Sequence, residues 1–308
     1  MRTALFARAA ACLLAAAMMT QTGSDIYAQR YSAKYHYDVR RDMSVYFKNS
    51  DEVIEKLRTR LKEKYRYVTI EYVSQSDNMQ DIEELVRELM GYALAETDSP
   101  DEGDYLACNT GGYTLEYSVE QQESDFVYSI KINPLCYTTP EQEQMVSDRV
   151  SEILAILGID DTLSDYEKVR RIYDHIYENV SFDIIHIKND NYHLKSTAYA
   201  ALINHTAACQ GYAAAVYRLM RSAGIGCRVL TGMATSPKTG ESEYHAWNIV
   251  CIDGVYYNLD ATWDCVNKDH ECFLKGSEDF PGHKEDDKFT GDFKKQYNIS
   301  KTSYGKDN

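Results

Sequence analysis

A thiol, an imidazole and a carboxylate that reach one another can break or transfer an acyl bond. The thiolate attacks, the imidazole moves the proton, and the carboxylate holds the imidazole. Cys209, His245 and Asp260 stand in that order in this 308-residue chain. Cys209 opens the run Cys209-Gln-Gly-Tyr212-Ala-Ala-Ala-Val-Tyr-Arg-Leu-Met-Arg-Ser-Ala223-Gly224. Tyr212, Val216, Leu219, Met220 and Ala223 recur at helical spacing, and Gly224 suits the position just past a helix end. The spacing predicts a helix with one buried face, Thr206 as a candidate cap and Cys209 in the first turn. Unpaired N–H groups there favour a thiolate and can hold a developing oxyanion. A buried structural cysteine would satisfy the same position, so the helix alone does not decide its role.

The next segment adds the base and its orienting group. Residues 225–231 read as a strand, a loop through Ser236-Pro237-Lys238-Thr239-Gly240 returns the chain, and residues 244–252 and 255–262 read as a hairpin about Asp253-Gly254. Asp-Gly signals a two-residue type I′ turn. It fixes the register: Ile252 faces Val255, Trp247 faces Asp260, and His245 faces Thr262. Alternate residues share a face, so His245 and Asp260 lie diagonally on one side, with Cα atoms roughly 7–8 Å apart. Singly, His245 reads as a satisfied strand histidine and Asp260 as a strand-end carboxylate capping a turn. Their shared face points to a triad. A hairpin centred on Thr239 would also set Cys227 across from Cys251.

Ala198-Tyr-Ala-Ala-Leu-Ile, Ala208-Cys209-Gln-Gly-Tyr212-Ala, Ala223-Gly-Ile-Gly-Cys-Arg-Val, Tyr244-His245-Ala-Trp247-Asn248 and Asn258-Leu-Asp260-Ala-Thr262-Trp263-Asp264 together resemble bacterial proteins of the transglutaminase-like superfamily. The resemblance covers about residues 165–264, and residues 273–283 resemble a tail those proteins carry. It implies a papain-like fold of the α+β class, a Cys-bearing helix on an antiparallel sheet. It also implies Cys209 as nucleophile, His245 as base and Asp260 as third member, with Gln210, Tyr212, Tyr244 and Trp247 as candidate substrate-binding neighbours. Gln210 departs from the pattern, which has an acidic residue there. The implied chemistry is protein-glutamine transfer, deamidation or hydrolysis of peptide or isopeptide bonds. The substrates would be extracytoplasmic proteins or cell-wall peptides. No cofactor and no metal are expected. The alternative is a binding module on the same fold in which the triad does no chemistry.

Around this core the chain is organised as follows. Arg2 and Arg8, the apolar run 9–19 and Ile26-Tyr27-Ala28 read as a signal peptide over residues 1–28, implying a secreted or surface-associated protein. No later segment is apolar enough to span a membrane. Residues 29–135 read as a smaller α+β domain: an extended stretch at 31–47, helices at 51–64 (capped by Ser50) and 79–95, a strand at 67–73, a loop at 100–104, and a hairpin from 113–120 and 126–132. Residues 139–300 then hold the catalytic domain. It opens with a helix at 140–157, capped by Thr139 with Pro140 at its first position, and continues with one at 165–179 opened by a Ser164-x-x-Glu167 capping box.

Charge excludes some partners. Without residues 1–28, which hold Arg2, Arg8 and Asp25, the chain keeps 31 basic and 47 acidic side chains, a net charge of −16. Such a surface repels phosphate backbones, so nucleic acid is not an expected partner. Seven cysteines remain, an odd number, leaving at least one free thiol or an intermolecular bridge. Cys108 with Cys136, and Cys265 with Cys272, are conceivable pairs; buried unbridged thiols are the other reading. His175, His186, His193 and His205 match no common zinc spacing, and Glu285-Asp286-Asp287 lacks the alternating ligands of a calcium loop.

Overall fold

The computed structural model describes residues 50–64, 66–75, 79–236 and 238–305. The signal-peptide segment 1–28 and the extended stretch at 31–47 lie outside the described residues. The chain divides into two compact units, one containing residues 50–95 and 110–136 and the other residues 96–109 and 137–305. Residues 96–109, placed by the sequence reading within 29–135, therefore pack with the second unit.

In the first unit, helix α1 (Ser50–Lys62), strand β1 (Val68–Ser74) and helix α2 (Met79–Ala93) precede a long hairpin of β2 (Thr110–Gln122) and β3 (Asp125–Cys136). The strands form an antiparallel sheet in the order β1-β3-β2. Its buried face, with Val68, Ile70, Tyr72, Tyr128, Ile130 and Ile132, follows the period of two.

The second unit begins with a short helix, α3 (Asp104–Cys108), where the sequence suggested only a loop followed by an unassigned stretch. Helices α4 (Pro140–Ile156) and α5 (Asp165–Asn179) follow, and both open on capping boxes, Thr139 with Gln142 and Ser164 with Glu167. A two-residue strand β4 (Ser181–Phe182) pairs in parallel with β5 (Thr206–Ala207), with helix α6 (Ala198–Leu202) between them. Helix α7 (Cys209–Ser222) is buried on all sides from Gly211 to Met220 and packs against α3, α5, α6 and the main sheet. That sheet is antiparallel in the order β8-β7-β6-β9, from β6 (Cys227–Thr235), β7 (Ser242–Ile252), β8 (Val255–Leu259) and β9 (His283–Glu285). Helix α8 (Ala261–Asn267) follows β8, and α9 (Asp292–Tyr297) comes near the end of the chain. Among the described residues, no helix is long and apolar enough to cross a membrane.

Gly211 explains why the residue two past the cysteine is glycine. A Cβ there would lie 2.7 Å from the Lys195 carbonyl oxygen, 2.8 Å from Ala207 Cβ and 3.0 Å from the Thr197 carbonyl oxygen. Its absence lets α7 start hard against the segment that places Cys209. The helix cap is Ala208, not Thr206, which is spent in β5. The Cys227–Cys251 pairing fails because Cys227 faces Val250, one residue off, which sends the two thiols to opposite faces. Both are free thiols, as are Cys265 and Cys272, which form no bridge with one another.

A buried ionic cluster ties α3 to β6. Arg228 donates to both Asp104 oxygens, at 2.7 and 3.1 Å, and Glu96 accepts from the Asp104 N–H at 2.7 Å and from the Tyr217 hydroxyl at 2.8 Å. Burial first, and then the Asp104 carboxylate, push Glu96 up to about 7 against the attraction of Arg228. The folded state thus keeps a proton that the unfolded chain releases above its ordinary value of 4.5. This contribution to stability is whole below that value and is lost as pH rises to about 7. Urea unfolding should therefore show stability falling by on the order of 3 kcal/mol between about pH 5 and pH 7.5 through this group alone. Glu96→Gln should flatten much of the slope; an unchanged slope in that variant would contradict the assignment.

Candidate active site

The Asp253-Gly254 turn has φ of 51° and 81°, the doubly positive pair that a type I′ turn requires. It sets Ile252 opposite Val255, and the ladder runs to Asn248 opposite Leu259. Here the structure corrects the expected strand over 255–262. The strand stops at Leu259 because Asp260 turns the chain into α8, its Oδ1 accepting from the N–H groups of Thr262 (2.9 Å) and Trp263 (3.1 Å). The backbone of Asp260 is held as well, its N–H donating to the Cys272 carbonyl at 3.1 Å.

The other carboxylate oxygen meets the histidine. His245 Nε2 and Asp260 Oδ2 are 2.7 Å apart, with His245 only 2% and Asp260 1% exposed. Asp260 thus caps α8 with one oxygen and meets the imidazole with the other. The Trp247 and Trp263 rings flank the imidazole at 6.4 and 5.7 Å. Burial opposes a charged imidazole, but the Asp260 carboxylate and a hydrogen bond with Cys209 outweigh it and hold His245 well above the usual histidine range. Burial likewise opposes ionised Asp260, and the charge and hydrogen bonds of His245 and His283 overcome it, holding the carboxyl far below its usual range. With Nε2 occupied by Asp260, His245 has Nδ1 left for the thiol of Cys209, the first residue of α7.

The remaining candidates fall into different places. Tyr212 is buried, its hydroxyl donating to the Val180 carbonyl at 2.8 Å and lying 3.3 Å from Cys265 Sγ. Trp247 is buried too, its Nε1–H donating to Asn258 Oδ1 at 3.3 Å. Both are core groups with their polar atoms used internally, so neither presents a surface to a ligand. Tyr244 donates to Asp286 Oδ2 at 2.6 Å, and Gln210 donates from Nε2 to the Cys108 carbonyl at 2.8 Å, fixing the first turn of α7 to the end of α3. A carboxylate at position 210 could not donate to that carbonyl, which gives the glutamine a physical reason.

One member of the site was not visible in the sequence. His283, on β9, brings its Nε2 to 3.1 Å from the same Asp260 Oδ2. Its only sequence signal was its place in the tail at 273–283. His186 pairs instead with Asp183 at 2.9 Å, His193 stacks on Tyr137 at 4.7 Å, and His205 lies 3.2 Å from the Asn179 carbonyl oxygen.

The model of the transglutaminase-like superfamily matches residues 157–261, a span that contains Cys209, His245 and Asp260. Residues 157–261 belong to the transglutaminase-like superfamily. The chain is 30% identical over 138 residues to the kyphoscoliosis peptidase of Homo sapiens, covering 40% of this chain and 21% of that protein, and 30% identical over 125 residues to that of Mus musculus, covering 38% and 18%. It thus spans about a fifth of the length of these relatives. A solved structure described as a TGase is similar with a TM-score of 0.35 and 18% identity, covering 48% of this chain and 45% of that one. The transglutaminase-like core is of the α+β class, with Cys209 at the head of a helix packed on an antiparallel sheet.

Proposed function

We propose that the protein is a cysteine-dependent acyl-transfer enzyme acting on amide bonds of proteins or peptides. The observation that carries this is the buried His245–Asp260 pair at 2.7 Å, which holds the imidazole well above the usual histidine range, in a chain whose Cys209 opens α7. Cys209 Sγ adds to the amide carbonyl carbon. The N–H groups of the first turn of α7, which have no intrahelical acceptor, would receive the oxyanion. The His245 imidazolium gives its proton to the departing nitrogen, and a thioester remains on Cys209. His245, now neutral, takes a proton from water or an amine as it attacks the thioester. The product leaves as an acid or a new amide and the thiol is restored.

Hydrolysis of peptide or isopeptide bonds is the favoured outcome; the matched relatives are named as peptidases. The segment 1–28, if cleaved as a signal peptide, would deliver the enzyme to extracytoplasmic proteins or cell-wall peptides. The test is to incubate residues 29–308 and its Cys209→Ala variant with a protein and peptide mixture and a primary amine, with mass-spectrometric readout. A cut peptide, a glutamine converted to glutamate or an amine adduct, each absent with Cys209→Ala, supports the proposal and separates the three chemistries. Products identical in the two samples would overturn it.

A further inference from the structure

We propose that His283 is a positioning residue that locks the Asp260 carboxylate in the rotation serving His245. The inference rests on the acyl-transfer reading above and adds a fourth residue to it.

A carboxylate offers about four acceptor sites. In Asp260 all are filled: Oδ1 by the Thr262 and Trp263 N–H groups, Oδ2 by His245 and His283. Without His283, two backbone N–H groups still hold Oδ1 but only the base holds Oδ2, and rotation about the terminal torsion would open the 2.7 Å bond to His245. With it, Oδ2 is held from two directions. His283 is itself fixed: its ring lies flat on Phe280 at 3.7 Å, meets Trp263 at 4.3 Å and touches the edge of Trp247 at 5.1 Å. Its side chain is buried, so it does not reach a substrate. Its strand is seated closely as well. A Cβ on Gly232 would run into the Lys284 carbonyl, and Gly282, at φ 83°, leaves no room for one beside the Thr235 carbonyl.

The ligand-type atoms of His245, Asp260 and His283 all lie within 4.8 Å of one another, close enough for a cation to be held there. The separations of 2.7 and 3.1 Å from each histidine to Oδ2 are those of direct N–H···O bonds. Both histidines therefore donate from Nε2, and the role of His283 is to orient, not to transfer a proton.

Two variants separate donor from packing. His283→Phe keeps a ring in the aromatic stack and removes the N–H; His283→Gln keeps a donor and loses the ring. The readout is the rate constant for alkylation of Cys209 by iodoacetamide in residues 29–308. His283→Phe should slow it roughly 10-fold or more, the scale on which an orienting partner acts, and His283→Gln should recover most of that loss. A wild-type rate in His283→Phe, or equal losses in both variants, overturns the inference. Should His283→Phe not fold, long-range ¹H–¹⁵N correlation of the unsubstituted protein decides instead: a proton on His283 Nε2 supports the role, and a bare Nε2 removes it. If Cys209 is slow even in the wild type, the acyl-transfer reading fails and takes this one with it. If Cys209 is fast and His283→Phe equally fast, only the role of His283 is lost.

Discussion

Asp260→Ala should slow Cys209-dependent turnover by about 10³- to 10⁴-fold, the scale on which orienting carboxylates of triads act. The substitution removes the charge that outweighs burial around His245, so the imidazole falls back toward its neutral form at neutral pH. It strips the acceptor from the Nε2 of both His245 and His283, and it takes the cap from the first turn of α8. The loss should fall on kcat more than on KM, because Asp260 is 1% exposed and makes no contact with solvent-borne substrate. The cap alone contributes about 1 kcal/mol to stability, so unfolding should be measured alongside turnover. The sign with pH is also fixed. The intact carboxylate keeps the imidazolium charged above the usual histidine range, so in Asp260→Ala the part of the Cys209 labelling profile that follows His245 should shift to lower pH. Wild-type turnover, or an unshifted labelling profile, would remove Asp260 from the mechanism.

The second large effect is on folding. Arg228→Met should destabilise the protein by roughly 3–5 kcal/mol, measured by urea unfolding, because one partner of a buried ion pair is removed. Arg228 is buried on β6, forks onto Asp104, donates to the Tyr297 hydroxyl and lies over the Tyr297 ring at 4.8 Å and the Phe293 ring at 5.3 Å. Asp104 Oδ2 also accepts from the Val229 N–H at 2.7 Å. Removing the guanidinium leaves Asp104 and Glu96 beside one another with no countercharge. The double variant Arg228→Met/Asp104→Leu should recover part of the loss, since an apolar pair does not carry a stranded charge. Equal stability of Arg228→Met and wild type would contradict this account of the cluster.

What the sequence disclosed was local. The helix at 165–179 and its capping box, Pro140 and Thr139, and the Asp253-Gly254 turn each carry their signal within a few residues, and each stands as read. Because that turn is short and its chemistry strict, the pairing of His245 with Asp260 could be read from a turn six residues before Asp260 and eight after His245. The misses have physical reasons. Asp260 looked like a strand residue because Thr262 continued the alternation, whereas its side chain closes α8 and ends the strand. Thr206 looked like a cap, yet β5 takes it and Ala208 fills the position. Tyr212 and Trp247 looked like binding residues because they flank Cys209 and His245 in sequence; their rings turn into the core. Nothing local announces that Arg228 meets a carboxylate 124 positions earlier, or that His283 returns to Asp260 from 23 positions later.

The most direct test of the central claim is competitive alkylation of the native protein. Iodoacetamide is applied at neutral pH, and peptide mass spectrometry gives a rate for each cysteine. Burial pushes the thiols of Cys227, Cys251 and Cys272 up, so they should label slowly. Cys209, beside a charged His245, should label faster than any other cysteine and faster than the same residue in denatured protein, and should lose that advantage in His245→Ala. A Cys209 that labels no faster than denatured-state cysteines, or keeps its rate without His245, would contradict its role as the nucleophile.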